Sequence, residues 1–257
     1  MSDAGEEGRG AMYRRLFPGL PEPVYEELAF RRYASEEMVA RARQGYEELG
    51  RRRSVREFSP ESVSRELIEL AIASAGTAPS GAHRQPWTFV TIDDPGLKRQ
   101  IREAAEEEEW RTYTGRMSEE WRLALAPLGT DWVKTHITDA PWLVVLFKQS
   151  YELLPDGRKA KNYYVSESVG ICAGLFIAAV HHMGLATLPH TPNPTRFLSG
   201  LLRRPANESA VMLFPVGYPK QGTQVPQLQR KPLVEYVQWN LAPPGHERPP
   251  ATDSTLP

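Results

Sequence analysis

Four polar side chains suited to binding a phosphate group lie close together in the stretch RRRSVREF: Arg52, Arg53, Ser54 and Arg56. Planar guanidinium groups match pairs of phosphate oxygens, and a serine hydroxyl adds a neutral donor. A phosphomonoester carries nearly two negative charges, which about two or three arginines would balance. The alternative is a solvated cationic helix end that complements the helix dipole. The residues alone leave both interpretations open.

A loop of small residues, GTAPSGAHRQPWTFV (residues 76–90), leads directly into a predicted strand. Glycine, alanine and serine allow a backbone to approach another body closely, and Pro79 stiffens the turn. The loop is therefore a second candidate for contact with a ligand.

A third group of residues combines opposite charges. Glu109 and Tyr113 are four residues apart on one face of a predicted helix, and Lys134 follows further along the chain. Taken singly, each has an ordinary explanation. Glu109 ends a run of glutamates that is typical of a solvated helix face, Tyr113 could be a packing residue, and Lys134 could be an exposed cation.

Composition and charge exclude several classes of protein. The 257 residues are 40% hydrophobic and 25% charged, which is typical of a globular chain. A net charge of −1 gives no overall attraction to nucleic acid or to an anionic membrane. The single cysteine, Cys172, excludes an intrachain disulfide and a cysteine-built zinc site, and we expect no metal. Since the first ten residues are polar and acidic rather than apolar, we expect no membrane anchor and a cytoplasmic protein.

Periodicity predicts both helices and strands. Apolar spacing indicates helices after Ser35 and over residues 93–117, and Ser59 followed by Pro60 has the pattern of a helix start. A short helix is expected in PTRFLSGLLRR, and a buried one over residues 165–186. In the latter, Gly170 and Gly174 would let another helix approach, either in the core or at a dimer axis. The predicted strands are WTFVTI, WLVVLFK, LATLPHT and VMLFPVGYP.

The order of these elements predicts an α+β fold, a mixed sheet flanked by helices. Helices and strands do not alternate regularly, and no Gly-x-Gly-x-x-Gly follows a strand, so a dinucleotide-binding fold is not expected. We expect a polar, flexible lead-in over residues 1–30, one domain over residues 31–239, and a disordered Pro-rich tail over residues 240–257.

Four motifs together, RRSVR, TAPSGAHRQPWTFV, FPVGYP and RKPL, resemble in order and spacing those of the FMN-dependent nitroreductase superfamily. Within it, the pattern is most similar to the iodotyrosine deiodinase family. The resemblance covers roughly residues 33–239. It implies a nitroreductase-like fold and an intertwined homodimer with FMN in each of two interface sites.

The resemblance also implies roles for individual residues. By position, FMN would be bound by Arg52, Arg53, Ser54, Arg56, Ser80, Pro189, His190, Thr191 and Arg230. The Thr191 hydroxyl would be the catalytic group, next to flavin N5, and the Ala82 N–H would bind a substrate oxygen. The deiodinase pattern usually has a run of threonines where this chain has LPHTP, so that only Thr191 keeps its hydroxyl.

In the deiodinase family, the residues at the positions of Glu109, Tyr113 and Lys134 form a lid that binds the ammonium and carboxylate groups of the substrate. The resemblance therefore implies a reductive dehalogenase that removes iodide from mono- and diiodotyrosine by one-electron flavin chemistry. NAD(P)H would supply the electrons through a separate reductase. The alternatives are a nitroreductase or quinone reductase of the same fold, and a non-catalytic protein that binds flavin or iodotyrosine.

Overall fold

The computed structural model describes residues 11–240 of the chain. The outer part of the predicted lead-in and almost all of the predicted tail lie outside these residues. The described chain divides into two compact units, with the boundary between Tyr46 and Glu47.

The first unit contains α1 (residues 11–16), a stretch without regular structure over residues 17–34, and the start of α2 (Ser35–Arg51), which continues across the boundary. α2 begins at Ser35, as the sequence predicts. Local contacts hold the chain after α1: the Tyr13 hydroxyl donates to the carbonyl of Pro21 at 2.8 Å, and Arg14 pairs with Glu22 at 2.9 Å.

A four-stranded sheet organises the second unit. Its strands, in spatial order, are β1 (Trp87–Ile92), β2 (Trp142–Gln149), β6 (Glu208–Gly217) and β5 (Ala186–Thr187), and each pairs antiparallel with its neighbour. A single parallel bridge joins Ser54 to Thr187 at the β5 edge. A separate hairpin, β3 (Tyr151–Leu153) and β4 (Lys159–Lys161), was not predicted.

Helices cover both faces of this sheet. The helices of the second unit are α3 (Arg65–Gly76), α4 (Pro95–Arg111), α5 (Glu119–Leu125), α6 (His136–Asp139), α7 (Val165–His182) and α8 (Arg196–Leu201). Of these, α3 and α7 pack in the core on one face, and α4, α6 and α8 in the core on the other. A π-helical turn (Thr112–Arg116) extends α4, and two short 3-10 turns occupy Ala126–Leu128 and Leu233–Glu235. Helices that flank an antiparallel sheet, without regular alternation of strand and helix, confirm the predicted α+β class.

The apolar run of β2 explains this layering. Val144 and Leu146 pack in one core with Phe176 of α7, whereas Leu143 and Val145 pack in a second core on the opposite face. Successive side chains of a strand point to opposite faces, so a continuously apolar strand needs cover on both sides. The strand predicted for WLVVLFK is confirmed as β2.

Two predicted elements are much shorter in the structure than the sequence suggests. The helix expected at Ser59 begins only at Arg65, because the Ser59 N–H donates to the carbonyl of Tyr218 at 2.9 Å and keeps this segment extended. The strand expected over LATLPHT is reduced to β5. Beyond it Pro189 has no N–H to donate, and His190 forms only an isolated bridge with Leu213.

α7 is apolar enough, with a mean hydropathy of 1.3 over 18 residues, to cross a membrane by length and composition. A core helix has the same properties, and the side chains of Cys172, Phe176 and Val180 are fully buried in the second unit. The opposite face carries Gly170 and Gly174 together with exposed Ile171 and Leu175. α7 is therefore only half covered by its own chain.

Candidate active site

A cavity of about 300 Å³ lies beside the end of α4 and its π-helical turn. Its apolar lining includes Met117, Trp121, Leu125, Leu128 and Leu188. Its charged and polar lining includes Arg56, Glu109, Tyr113, Lys134, His136 and His190. The three predicted lid residues are therefore brought together in one space, although Lys134 is far from the others in sequence.

Glu109 and Lys134 form a buried ion pair in this cavity. Lys134 Nζ lies 3.2 Å from Glu109 Oε2, and the two side chains are only 5% and 15% exposed, respectively. The Lys134 backbone N–H donates to Glu106 Oε1 at 2.7 Å, and its ammonium group also donates to the carbonyl of Asp131. α4 thus positions both members of the pair.

Tyr113 lies on the π-helical turn that follows Glu109. Its hydroxyl donates to the carbonyl of Thr130 at 3.2 Å, and Lys134 Nζ is 5.8 Å from the centre of its ring. Burial raises the pKa of Tyr113, and the nearby Glu109 charge raises it further, so this phenol stays a neutral donor. Single π-helical turns occur frequently at functional sites.

Two histidines, which the sequence did not identify as a unit, continue the polar network. His190 Nε2 lies 3.0 Å from Glu109 Oε1, and His190 Nδ1 lies 3.2 Å from His136 Nε2. Burial lowers the pKa of His136 to about 2, and also lowers the pKa of His190 although Glu109 opposes it. Burial acts to raise the pKa of Glu109, but the His190 hydrogen bond and the Lys134 charge outweigh it and lower that pKa.

The segment that follows β5 contains the predicted flavin contacts Pro189, His190 and Thr191. All three line the cavity. The His190 N–H and carbonyl are both bonded to Leu213, at 2.9 and 2.8 Å, and Pro189 has no N–H. His190 therefore contributes its side chain rather than its backbone, and Thr191 is exposed with its hydroxyl available.

The predicted phosphate clamp is split between two cavities. Arg52 and Arg53 line a second cavity of about 250 Å³ with Thr187, whereas Arg56 lines the first. Ser54 lines neither and is bridged through its backbone to Thr187. Strand-like alternation does not predict this split, because the neighbours Arg52 and Arg53 share one cavity, whereas Arg52 and Arg56, which are four residues apart, do not.

Arg230 anchors this segment instead of lining the second cavity. Its guanidinium donates to the carbonyls of Gly50 and Arg52, both at 3.0 Å, and Arg53 donates to the carbonyl of Pro226. Among residues 11–240, no carboxylate pairs with these arginines. Burial, and then repulsion from Arg230 and Arg53, lower the pKa of Arg52. Clustered cations without anions are suited to binding a phosphate.

An unpaired hydroxyl adds to this second cavity. The buried Oγ1 of Thr187 has no hydrogen-bond partner in the described part of the chain. Buried polar atoms are almost always paired, so an orphaned one marks a place where a ligand or a water belongs. The residues of this cavity therefore fit a phosphate-bearing cofactor.

The loop carrying Ser80 and Ala82 lines neither of these two cavities. The Ser80 hydroxyl accepts from the Gln85 N–H at 2.9 Å, and Ala82, His83 and Gln85 all have positive φ, at 50°, 53° and 46°. Strained backbone of this kind persists where the surroundings fix it, often at functional sites. Within the described chain the exposed Ala82 N–H has no acceptor, so it is free to bind a ligand.

Gly81 fixes the loop against the rest of the unit. A Cβ at this position would lie 2.5 Å from the carbonyl oxygen of Tyr163, so only glycine fits. Its N–H donates to the Ser168 hydroxyl at 3.2 Å. Consequently the loop is held at the N-terminal end of α7.

Comparison with known proteins identifies the class to which this fold and these cavities belong. The chain belongs to the nitroreductase family, whose model matches residues 49–218. Within that family it is similar to proteins named iodotyrosine deiodinase from several organisms. The one from Haliscomenobacter hydrossis is 50% identical over 82% of this chain and 95% of its own length. The one from Nematostella vectensis is 46% identical over 85% of this chain and 81% of its own length.

Two solved structures have folds similar to that of this chain. A crystal structure of oxidised iodotyrosine deiodinase bound to FMN and 3-iodo-L-tyrosine matches with a TM-score of 0.66 and 27% identity, over 76% of this chain and all of that one. A BluB-like flavoprotein from Clostridium difficile matches with a TM-score of 0.58 and 20% identity, over 76% of this chain and 98% of that one, which shows a shared fold only.

Proposed function

We propose that this protein is an FMN-dependent reductive dehalogenase that removes iodide from iodotyrosines and yields tyrosine. The observation that carries the proposal is the buried Glu109–Lys134 pair, 3.2 Å apart in a cavity with a largely apolar wall. An iodotyrosine has matching parts: an ammonium and a carboxylate on one end and an apolar ring on the other. The relatives named iodotyrosine deiodinase support the same assignment.

The substrate would bind by exchanging ion pairs. Its ammonium group would replace Lys134 at Glu109, while its carboxylate would take the Lys134 ammonium and the Tyr113 hydroxyl. Every buried charge keeps a partner in this exchange. The exchange therefore avoids the cost of about several kcal/mol that an unpaired buried ion would incur. A plain nitroaromatic has no zwitterion and gains nothing from the pair.

The donor set fits FMN. Arg52, Arg53 and the Thr187 hydroxyl would hold the phosphate, Arg230 would keep their segment in place, and Arg56 and Thr191 would contact the flavin from the first cavity. When bound, FMN would supply electrons in single steps. The chain's own residues bind the amino-acid group, exclude water with apolar side chains, and hold a proton on the Thr191 hydroxyl.

We infer that two chains complete each site. Ser80 and Ala82 lie outside both cavities of their own chain, and Gly81 between them is bonded to Ser168 in the first turn of α7, a helix whose other face exposes Ile171 and Leu175. A two-fold contact along α7 would bury that face and bring the Ala82 N–H of one protomer to the substrate oxygen bound in the other. The electron donor, a separate NAD(P)H-dependent reductase, and a cytoplasmic location remain predictions from the sequence.

Steady-state turnover tests the function. The holoprotein is assayed with a reducing system on 3-iodotyrosine, on 3-iodophenol and on a nitroaromatic, and kcat/KM is compared. We expect the highest value on 3-iodotyrosine, with release of iodide. Efficient reduction of the nitroaromatic without iodide release would instead indicate a nitroreductase, which the family assignment allows. Tight binding of 3-iodotyrosine without turnover would indicate a non-catalytic binding protein.

A further inference from the structure

His136, His190 and Glu109 form a buried relay. His136 is 4% exposed and His190 9%, and the two rings meet edge to face with their centres 5.0 Å apart. His136 Nε2 is 3.2 Å from His190 Nδ1, and His190 Nε2 is 3.0 Å from Glu109 Oε1. These three residues lie on α6, on the segment after β5 and on α4, so the relay joins separate elements.

The chemistry of the groups fixes the direction of every hydrogen bond. An ionised carboxylate only accepts, so His190 Nε2 must carry a hydrogen. A neutral imidazole has one N–H, which makes His190 Nδ1 an acceptor and His136 Nε2 its donor. The charged groups facing the rings are Glu109 and Arg102 on α4, Lys134 before α6, and Arg56. Most are cations, which together with burial keep both rings neutral.

His190 is itself rigidly held. Its N–H and carbonyl are both bonded to Leu213 of β6, so its ring projects from the edge of the sheet into the cavity. Glu109 Oε1 is thereby tied to the sheet, while Oε2 contacts Lys134. If Lys134 turns to a substrate carboxylate, His190 still holds Oε1 and leaves Oε2 directed at the space that Lys134 vacates.

We propose that His190, oriented by His136, is a positioning residue that holds the Glu109 carboxylate for the ammonium group of the substrate. This inference rests on the proposed function, since it takes Glu109 to bind that ammonium. A neutral donor suits the task, because it orients the carboxylate without cancelling its charge. A cation at the same place would compete with the substrate.

The test measures the affinity of the FMN-bound protein for 3-iodotyrosine and for 3-iodophenol by the change in flavin absorbance. His190→Leu removes the donor, and His190→Gln keeps an N–H near the position of Nε2. For His190→Leu we expect an affinity for 3-iodotyrosine about tenfold lower, as for one hydrogen bond to a charged group. The affinity for 3-iodophenol should stay within about twofold of the wild type, and His190→Gln should restore most of the loss.

The pH profile gives a second measurement. Without the His190 donor, one of the contacts that oppose burial and lower the pKa of Glu109 is gone, so this pKa should rise. In His190→Leu, 3-iodotyrosine binding should therefore be lost at a higher pH than in the wild type. In His190→Gln, the pH at which binding is lost should move back toward the wild-type value. His136→Phe should also weaken the binding of 3-iodotyrosine more than that of 3-iodophenol, but to a smaller degree than His190→Leu. If its ratio of the two affinities equals that of the wild type, His136 does not orient His190.

Three outcomes overturn the inference: unchanged 3-iodotyrosine affinity in His190→Leu, equal losses for both ligands, or no recovery in His190→Gln. Failure of the proposed function looks different. In that case the wild-type protein itself would bind 3-iodotyrosine no better than 3-iodophenol, before any substitution is made.

Discussion

At the scale of single residues, Glu109 and Lys134 differ from the surface ion pairs of this chain. Arg65 and Glu69 also pair, at 2.7 Å, but their side chains are 81% and 60% exposed. Exposed pairs contribute about 0–1 kcal/mol, whereas a buried pair is costly unless both charges stay satisfied. Burial of opposite charges at a cavity wall is therefore better explained by ligand binding than by stability.

Glu109→Gln tests the role of this carboxylate. Losing one charge pair should weaken 3-iodotyrosine binding about tenfold to a hundredfold, while 3-iodophenol binding to the same flavin should change little. Equilibrium titration by flavin absorbance measures both. The matched control is Glu107→Gln, which alters an exposed neighbour in the same glutamate run. Equal losses for the two ligands would show that Glu109 supports the fold or the flavin instead.

Thr191→Ala tests the proposed catalytic hydroxyl. The resemblance implies that this group would lie at flavin N5, where a hydrogen bond would favour one-electron transfer over hydride transfer. We expect the variant to retain FMN, to lose about one to two powers of ten in deiodination, and to keep or increase nitroaromatic reduction. Thr114→Ala, on the exposed side of the π-helical turn, serves as the control. Deiodination at the wild-type rate would make Thr191 a purely structural residue.

At the scale of elements, α4 was the most predictable part of the site. Asp94 caps the helix, accepting from the Leu97 N–H at 2.6 Å, and Pro95 occupies the first turn, as this pattern in the sequence indicates. The spacing of Glu109 and Tyr113 also predicted a shared face. The π-helical turn could not be predicted, because no residue type requires it.

Other parts of the site depend on contacts between distant segments. His136 and His190 are 54 positions apart, and neither belongs to a sequence motif that indicates contact with the other. The only available signal was the departure of LPHTP from the threonine run of the deiodinase family. Likewise, the sequence grouped Arg56 with Arg52 and Arg53, but in the folded chain Arg56 lines a different cavity from the other two.

α7 offers a test of the proposed dimer. A Cβ at Gly174 meets nothing within 4 Å in its own chain, so Gly174→Leu should not disturb the protomer. If the α7 helices of two protomers pack against each other, the leucine side chain would force them apart. We expect a monomer that has lost most of its FMN, by light scattering and flavin absorbance. Gly200→Leu on α8, where a Cβ is equally free, should remain a flavin-bound dimer. A fully flavinated dimer in Gly174→Leu contradicts the α7 interface.

At the scale of the whole molecule, the buried histidines predict sensitivity to acid. The pKa of His136 is about 2 in the folded chain, far below its value of 6.5 in the unfolded one. As the pH falls below 6.5, the unfolded chain takes up the proton and the folded chain does not, so stability decreases. At about pH 5.5 the loss due to His136 is about 1.4 kcal/mol.

His136→Phe checks this expectation by urea unfolding at several pH values. The variant should lose less stability than the wild type between neutral pH and about pH 5.5, by roughly that same 1.4 kcal/mol. His83→Phe, which changes an exposed histidine, serves as the control variant. An unaltered slope in His136→Phe would mean that His136 is not held neutral in the folded protein.

The whole account depends on whether the assembled molecule can pass electrons to a carbon–iodine bond. The most direct measurement mixes the dithionite-reduced holoprotein with diiodotyrosine under strictly anaerobic conditions and follows flavin absorbance and free iodide together. The account predicts that the flavin returns to its oxidised spectrum while iodide and a less iodinated tyrosine appear in proportion. A flavin that stays reduced with diiodotyrosine and releases no iodide, yet is oxidised promptly by a nitroaromatic, would contradict it.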